Sequence, residues 1–458
     1  MRYEYAASLS ASLDREGNRT RYEYFPGGLL DRVIDPRGLQ AVRNEYDAGG
    51  RLLAHVDVEG NRIEFAHDVV GRQEVVKDRR GNLTVYVYDE DGNVLAQTNA
   101  LGGTRTFEYD GAGNETRQTD ELLNSTRSTY DARGNLLTRT DPLGFRTQVA
   151  YNALGLPTET IDPLGRRTVN AYDAEGNLIG TTDPLGNVST NEYDGLGRLV
   201  ATVDALGTRT EFVYLDQPSL GKFGSQVVEQ RVKSSAGTLL RKSTFVYDLS
   251  GRQVSQTAWN GAPGALAAYA TTATVYNANG QVVSVVDPEG HSTLTIYNVI
   301  GQQSSVTDRN GNVTRFFYND RGLLERTEFP EVDGVVPQET AGYDAEGNRT
   351  SFTDRNGRTT ATEYDKLNRP VKTVHPDLSF RMTFYDAAGR VESETDERAN
   401  TVTFGYDDAG RRTSTRDSLG KETRFEFDAA GQQVKVIDAL LREISLEYDA
   451  GGRQVRTV

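Results

Sequence analysis

The chain has 458 residues, 36% of them apolar, with 46 Gly and no Cys. That apolar share lies below the roughly 45–50% of an ordinary globular chain. A net charge of −15 argues against a nucleic-acid partner, and the lack of Cys excludes disulfides, zinc–thiolate sites and thiol nucleophiles. The opening residues, MRYEYAASLSASLDREG, have no apolar core, so no secretory signal is expected there. No apolar run of about 18 residues occurs, so no membrane insertion by a helix is expected.

Tyr sets the period. From Tyr3 and Tyr24 the series runs through Tyr46, His67, Tyr88, Tyr109, Tyr130, Tyr151, Tyr172, Tyr193 and Tyr214. Most steps are 21 residues, and Asp or Asn commonly follows the Tyr. After longer gaps come Tyr247, Tyr276, Tyr297 and Tyr318, then Tyr343, Tyr364, Tyr385, Tyr406, Phe427 and Tyr448. These positions define about 21 units over residues 1–458, a single array in place of the three domains that length alone suggests. Segments 215–243, 259–272 and 328–341 interrupt the period as insertions.

Each unit carries two turn signals of the form Asp-x-x-Gly. The first follows the Tyr, as in Asp173-Ala174-Glu175-Gly176. The second comes ten or eleven residues on, ending in Gly144, Gly165 and Gly186 in the Asp-Pro-Leu-Gly examples. Asp caps backbone N–H groups ahead of it, Pro presets φ, and Gly takes the left-handed position of a bulged hairpin loop. Asn368 occupies one Gly slot, and Asn is well suited to positive φ. Between turns lie six or seven residues rich in Thr, Val, Tyr and Phe, too short for helices and suited to strands.

The predicted fold is all-β: a meander of about 42 antiparallel strands built from tandem hairpins. Its alternation is soft, which suggests a sheet that is wet on both faces. At about 4.8 Å per strand, 42 strands extend roughly 200 Å, and so wide a sheet is expected to curl or spiral into a hollow shell. A parallel β-solenoid stalk is the competing architecture; two equivalent turn signals per period favour hairpins. Of 51 basic residues 8 are Lys, which leaves 43 Arg. Arg–Tyr and Arg–Asp contacts between units are therefore expected.

The stretches from Tyr130 to Gly144 and from Tyr172 to Gly186 read close to YDAxGNLxxxTDPLG. This pattern resembles the YD repeat of the Rhs family, which includes bacterial Rhs toxins, the B and C components of insecticidal toxin complexes, and teneurins. The resemblance implies a β-cocoon that encloses a C-terminal toxin polypeptide, with delivery by type VI secretion or a related injector. It implies a bacterial protein made in the cytoplasm and exported without a classical signal peptide. The enclosed toxin and the delivery machinery would be partners missing from this chain. The chain departs from intact members: Asp35-Pro36-Arg37-Gly38-Leu39 matches the DPxGL self-cleavage motif once, with no paired copy, and reads as an ordinary turn.

No catalytic, cofactor or metal site is expected. His55, His67, His291 and His375 fall in different units. Asp89-Glu90-Asp91-Gly92-Asn93 resembles half of a calcium loop but lacks the remaining ligands and helices. The Asn-x-Thr/Ser sequons follow from the repeat's own Gly-Asn-x-Thr. The repeat-defining structural residues are Tyr88, Tyr109, Tyr130, Tyr172, Tyr193, Tyr297, Tyr364, Tyr385 and Tyr406 with Gly144, Gly165 and Gly186. These tyrosines are expected to form a cross-strand aromatic stripe. Trp259, Phe329 and Val335, all in insertions, are the candidate partner contacts, because loops longer than a turn requires often carry contacts. The leading functional reading is a non-enzymatic shell that sequesters a toxin. The alternative is a glycan- or receptor-binding adhesion module at a cell surface.

Overall fold

The computed structural model describes residues 1–215, 224–260 and 267–458. Every regular element among them is a strand, β1 (Arg2–Tyr5) to β42 (Gln454–Thr457) in chain order. Antiparallel ladders join strands adjacent in sequence, and the 42 strands form one unclosed sheet. No helix of the described residues is long and apolar enough to cross a membrane.

Strand length follows from the turn spacing. In a representative unit, β17 (Arg167–Tyr172) pairs with β18 (Leu178–Thr182), and the register slips by one residue between Ala171 and Tyr172. The same bulge precedes Tyr109, Tyr151, Tyr193 and Tyr364. Each bulge adds local twist to the ribbon.

The sheet is a single layer with little conventional core. Among the described residues the buried apolar ones are Ala11, Ala54, Val56 and Ala201, and no large side chain is fully buried. The accessible surface is 26718 Å², against roughly 17,000 Å² for a compact chain of this length. In β11 (Thr104–Tyr109), β15 (Arg146–Tyr151) and β17 the face carrying the Tyr is half-buried and the opposite face is exposed.

Small residues on the exposed face are covered by ion pairs. Ala54 lies between Glu45 and Glu64 on the flanking strands. Arg62 spans them, donating to Glu45 at 2.6 Å and to Glu64 at 3.1 Å. Ala201 repeats the arrangement beneath Arg209, which bridges Glu192 at 2.7 Å and Glu211 at 3.1 Å. Both alanines are fully covered.

Two insertions differ from the expected loops. The described parts of 215–243 and 259–272 lengthen strands: β22 (Val227–Lys233), β23 (Leu239–Tyr247), β24 (Gln253–Asn260) and β25 (Ala267–Tyr276). Extra residues there continue the ladders, which satisfies backbone groups that a loop would leave to water. The third insertion is a small hairpin, with a bridge between Val332 and Val335 and a Phe329 N–H···O=C Pro337 bond of 2.9 Å. Asp216-Gln217-Pro218 and Gly261-Ala262-Pro263-Gly264 lie outside the described residues.

The chain divides into two compact units. One comprises Met1–Arg127 and Leu294–Arg424, the other Ser128–Thr293 and Phe425–Val458. Each brings together stretches of ribbon that are far apart in sequence.

Candidate functional site

The repeated chemistry begins in the turns. In the first turn of the Tyr172 unit, Asp173 Oδ1 accepts the N–H groups of Glu175 (3.1 Å) and Asn177 (2.7 Å). Its Oδ2 accepts the Asn177 carboxamide at 2.9 Å, while Gly176 N–H donates to Asp173 O at 3.2 Å. The second turn repeats the cap, with Asp183 Oδ1 accepting from Leu185 (2.9 Å) and Asn187 (2.8 Å). Gly144, Gly165 and Gly186 have φ of 87°, 77° and 82° with open space where a Cβ would sit. Conformation, not crowding, therefore selects Gly at these positions. Asn368 has φ 60°, as its place in the turn predicts. The Asn177 side chain is the largest of the bonds that hold the Asp173 carboxyl below its ordinary pKa, and the Arg198 backbone N–H leads the same effect at Asp194.

The Tyr series is tied by its hydroxyls. Tyr109, Tyr172, Tyr193, Tyr364, Tyr385 and Tyr406 each donate to a main-chain carbonyl fifteen residues back, at 2.8–3.1 Å. The acceptor is the first residue of the strand after the preceding first turn, as in Pro157 for Tyr172. Each Tyr thus fastens its hairpin to the one before. Tyr88 differs and donates to Glu74 at 3.2 Å. Tyr130 and Tyr297 hold the equivalent places at the ends of β13 (Ser125–Tyr130) and β27 (Ser292–Tyr297).

Arginine completes the link. At four first turns that carry Arg in place of Asn, its Nε bonds the turn Asp at 2.7 Å and its guanidinium lies over the next unit's Tyr. Arg198, Arg252, Arg369 and Arg390 cover Tyr214, Tyr276, Tyr385 and Tyr406 at 4.3–4.8 Å. These contacts match the expectation from the Arg excess. They turn the anticipated aromatic stripe into a ladder of hydroxyl bonds and guanidinium caps.

The two kinds of turn lie on opposite rims of the ribbon, and within each compact unit unlike rims meet. In the first unit, Arg37 of a second turn donates to the Asp320 carbonyl at 2.8 Å. Arg80 donates to the carbonyls of Asp365 at 2.8 Å and Tyr364 at 3.1 Å. Arg321, in a first turn, pairs with Asp57 of a second turn at 3.2 Å, and both side chains are nearly buried. In the second unit, Arg166 donates to Gln432 at 2.7 Å. These docking arginines were not singled out from the sequence. For Arg37, Arg80 and Arg321 the one signal was Arg at the third place of the turn, where Leu is frequent, whereas Arg166 follows the Gly of its turn.

The candidate contact residues are separated along the chain, and two of them serve local packing. Trp259 is the next-to-last residue of β24, donates to Thr244 Oγ1 at 2.9 Å and lies beneath Lys242. Phe329 is covered by Arg355, 3.4 Å from the ring centre. Val335 is exposed at the hairpin tip. The structure also gathers Asp287, Glu289 and His291 on one second turn, with ligand atoms within 4.8 Å, a grouping missed when the His residues were read singly. There Asp287 Oδ1 accepts the backbone N–H groups of Glu289 and His291, the cap found in the other turns.

The RHS Repeat family matches residues 88–122, 130–167, 172–214, 343–378 and 385–422. Among solved structures, the crystal structure of TcdB2–TccC3–TEV aligns with a TM-score of 0.68 at 16% identity, over 95% of this chain and 26% of that one. The Tc holotoxin pore of Photorhabdus luminescens, with a mutated TccC3, aligns with a TM-score of 0.67 at 16% identity, over 100% and 26%. The chain therefore spans about a quarter of the length of those two chains, and the likeness is one of fold. No curated protein matches it in sequence. The repeated motif, the antiparallel ribbon it builds and the family match agree: the chain carries RHS repeats in five stretches between residues 88 and 422.

Proposed function

We propose that this ribbon is the wall of a container that holds a toxin polypeptide apart from its surroundings until delivery. The supporting observation is the single-layer sheet. Its faces are not consumed by packing against a second layer, so one is available to line an enclosed space. That lining mixes charged and hydroxyl side chains with scattered apolar ones, and would hold a chain without a strong hydrophobic grip. Isolation of this kind is steric and requires no catalytic residue. The solved proteins with this fold carry Tc toxin names, which supports a toxin as cargo and a bacterial secretion or injection route. The glycan reading gains no comparable support, because six of the repeat tyrosines already spend their hydroxyls on the main chain.

Small-angle X-ray scattering of the purified chain tests the proposal. A filled protein of this length has a radius of gyration of about 23 Å. A clearly larger value with a bounded maximum dimension is expected. A value near the filled one, or the long linear tail of a rod, would overturn the container.

A further inference from the structure

We propose that His55 makes the docking of unlike rims in the first compact unit proton-sensitive, so that mildly acid conditions loosen it. Its use, slackening a wall, rests on the container reading; its chemistry stands on the first unit alone. Three of the four histidines face a carboxylate. His67 meets Glu74 at 3.4 Å, His291 meets Asp287 at 3.5 Å and His375 meets Glu397 at 2.9 Å. A proton gained at any of these is met by a negative charge. His55 differs. It is half-buried in β6 (Leu52–Val56), two residues before Asp57 of the docked turn, and the charged group that acts on it is a cation, Arg79.

Hydrogen bonds fix where an added proton must go. Asn44 is buried, and its Nδ2 donates to the Leu30 carbonyl at 3.0 Å. Its Oδ1 is therefore the acceptor that faces His55 Nδ1 at 2.7 Å. Neutral His55 then carries its hydrogen on Nδ1, and a second proton goes to Nε2. No protein acceptor among the described residues meets Nε2. Ile63 of β7 (Arg62–Asp68) lies opposite His55, and Phe65 stands edge-on to the ring at 5.6 Å. The other titratable groups nearby are Tyr46, which reaches His55 only through Asn44, and His67, on the far side of Phe65. Burial first, and Arg79 second, hold His55 below its ordinary pKa.

Arg79 belongs to the docking. Its guanidinium stands 3.4 Å from Glu346 of the facing first turn and 3.6 Å from Asp57, and its backbone N–H donates to Glu346 as well. Its Nε is buried without a hydrogen bond. Arg80 and Arg321 add two more guanidiniums to the same docking. Docked turns thus hold a cation beside an imidazole whose second proton has no acceptor. When the turns part, Arg79 is free to move into water and His55 takes the proton more readily. The open state then binds more protons than the docked one. Docking is therefore complete above the ordinary imidazole range and weakens as pH falls through about 6.5.

Hydrogen exchange of the full chain at about pH 7.5 and about pH 5.5, compared as protection factors, tests this, because imidazoles are the side chains whose ordinary range lies between. Protection in the turns at 57–60 and 344–348 is expected to fall about threefold or more at the lower pH, while that at 152–155 holds. Strand loss in urea follows after docking has opened, so its midpoint stays level over the same range. His55→Gln places there the residue that Gln97 and Gln118 supply at the same strand position, and circular dichroism checks that it is folded. It is expected to remove the fall, and His375→Gln to leave it in place. No fall in the two turns, an equal fall in His55→Gln, or a fall that extends to 152–155 overturns the proposal. Scattering tests the container separately: a hollow shell whose docked turns ignore pH would end this inference alone.

Discussion

Three leucines stand where the turns ordinarily place Gly: Leu123, Leu378 and Leu441, with φ of 70°, 67° and 61°. Each is about four-fifths exposed, so packing does not offset the strain. Leu441→Gly is expected to raise stability by about 1 kcal/mol, read from a urea midpoint. Gly186→Ala, in open space at φ 82°, should lower it by a similar ~1 kcal/mol. The turn aspartates govern acid stability. Asp110, Asp173, Asp183, Asp308 and Asp396 are all held below their ordinary pKa, each first by the Asn side chain of its own turn. In the unfolded chain they titrate near about 3.9. Because the folded values are lower, their stabilisation is complete above that pH and is lost as pH falls from it through the folded values. The urea midpoint should be flat above about pH 5 and drop below about pH 4, with a smaller slope in Asp173→Asn.

At the scale of the hairpin, most of the structure was legible. Two Asp-x-x-Gly signals per period specify two loops and two strands, and the local caps realise them one unit at a time. The Tyr hydroxyl bond was not legible. It depends on the bulge before each Tyr, which aligns the side chain with a carbonyl fifteen residues back, and Tyr and Phe read alike in a strand pattern. The strands in the insertions were missed for a related reason: Val227–Lys233 and Ala267–Tyr276 carry no turn signal of their own. The covered alanines were hidden too, since only cross-strand register shows that Ala201 lies beneath Arg209. Ala201→Leu should part the Glu192–Arg209–Glu211 bridge and cost about 1–3 kcal/mol. The same change at exposed Ala174 should be near neutral, and chemical denaturation of the two variants makes the comparison.

At the scale of the molecule, the docking of rims depends on contacts more than 260 residues apart, which no local pattern encodes. Arg321 is central in the first unit. Besides Asp57 it bonds the carbonyls of Asp344 at 2.9 Å and Ala345 at 2.6 Å. Arg321→Ala leaves the nearly buried Asp57 with less compensation and should cost about 2–3 kcal/mol. Hydrogen exchange should rise in the turns near 57–60 and 344–348 while turns near 152–155 keep their protection. Uniform loosening of all three would show that the docking is not a separate layer of stability.

The scarcity of large buried side chains has a thermal consequence. More of the surface in this sheet is hydrated before unfolding than in a compact chain of the same length, so melting exposes less. The heat-capacity increment should fall below the about 12–15 cal/mol/K per residue of compact domains, which calorimetry would register directly. Free energy would then vary with temperature along a shallower dome. Cooling would weaken such a wall less than it weakens a protein held by an oily interior.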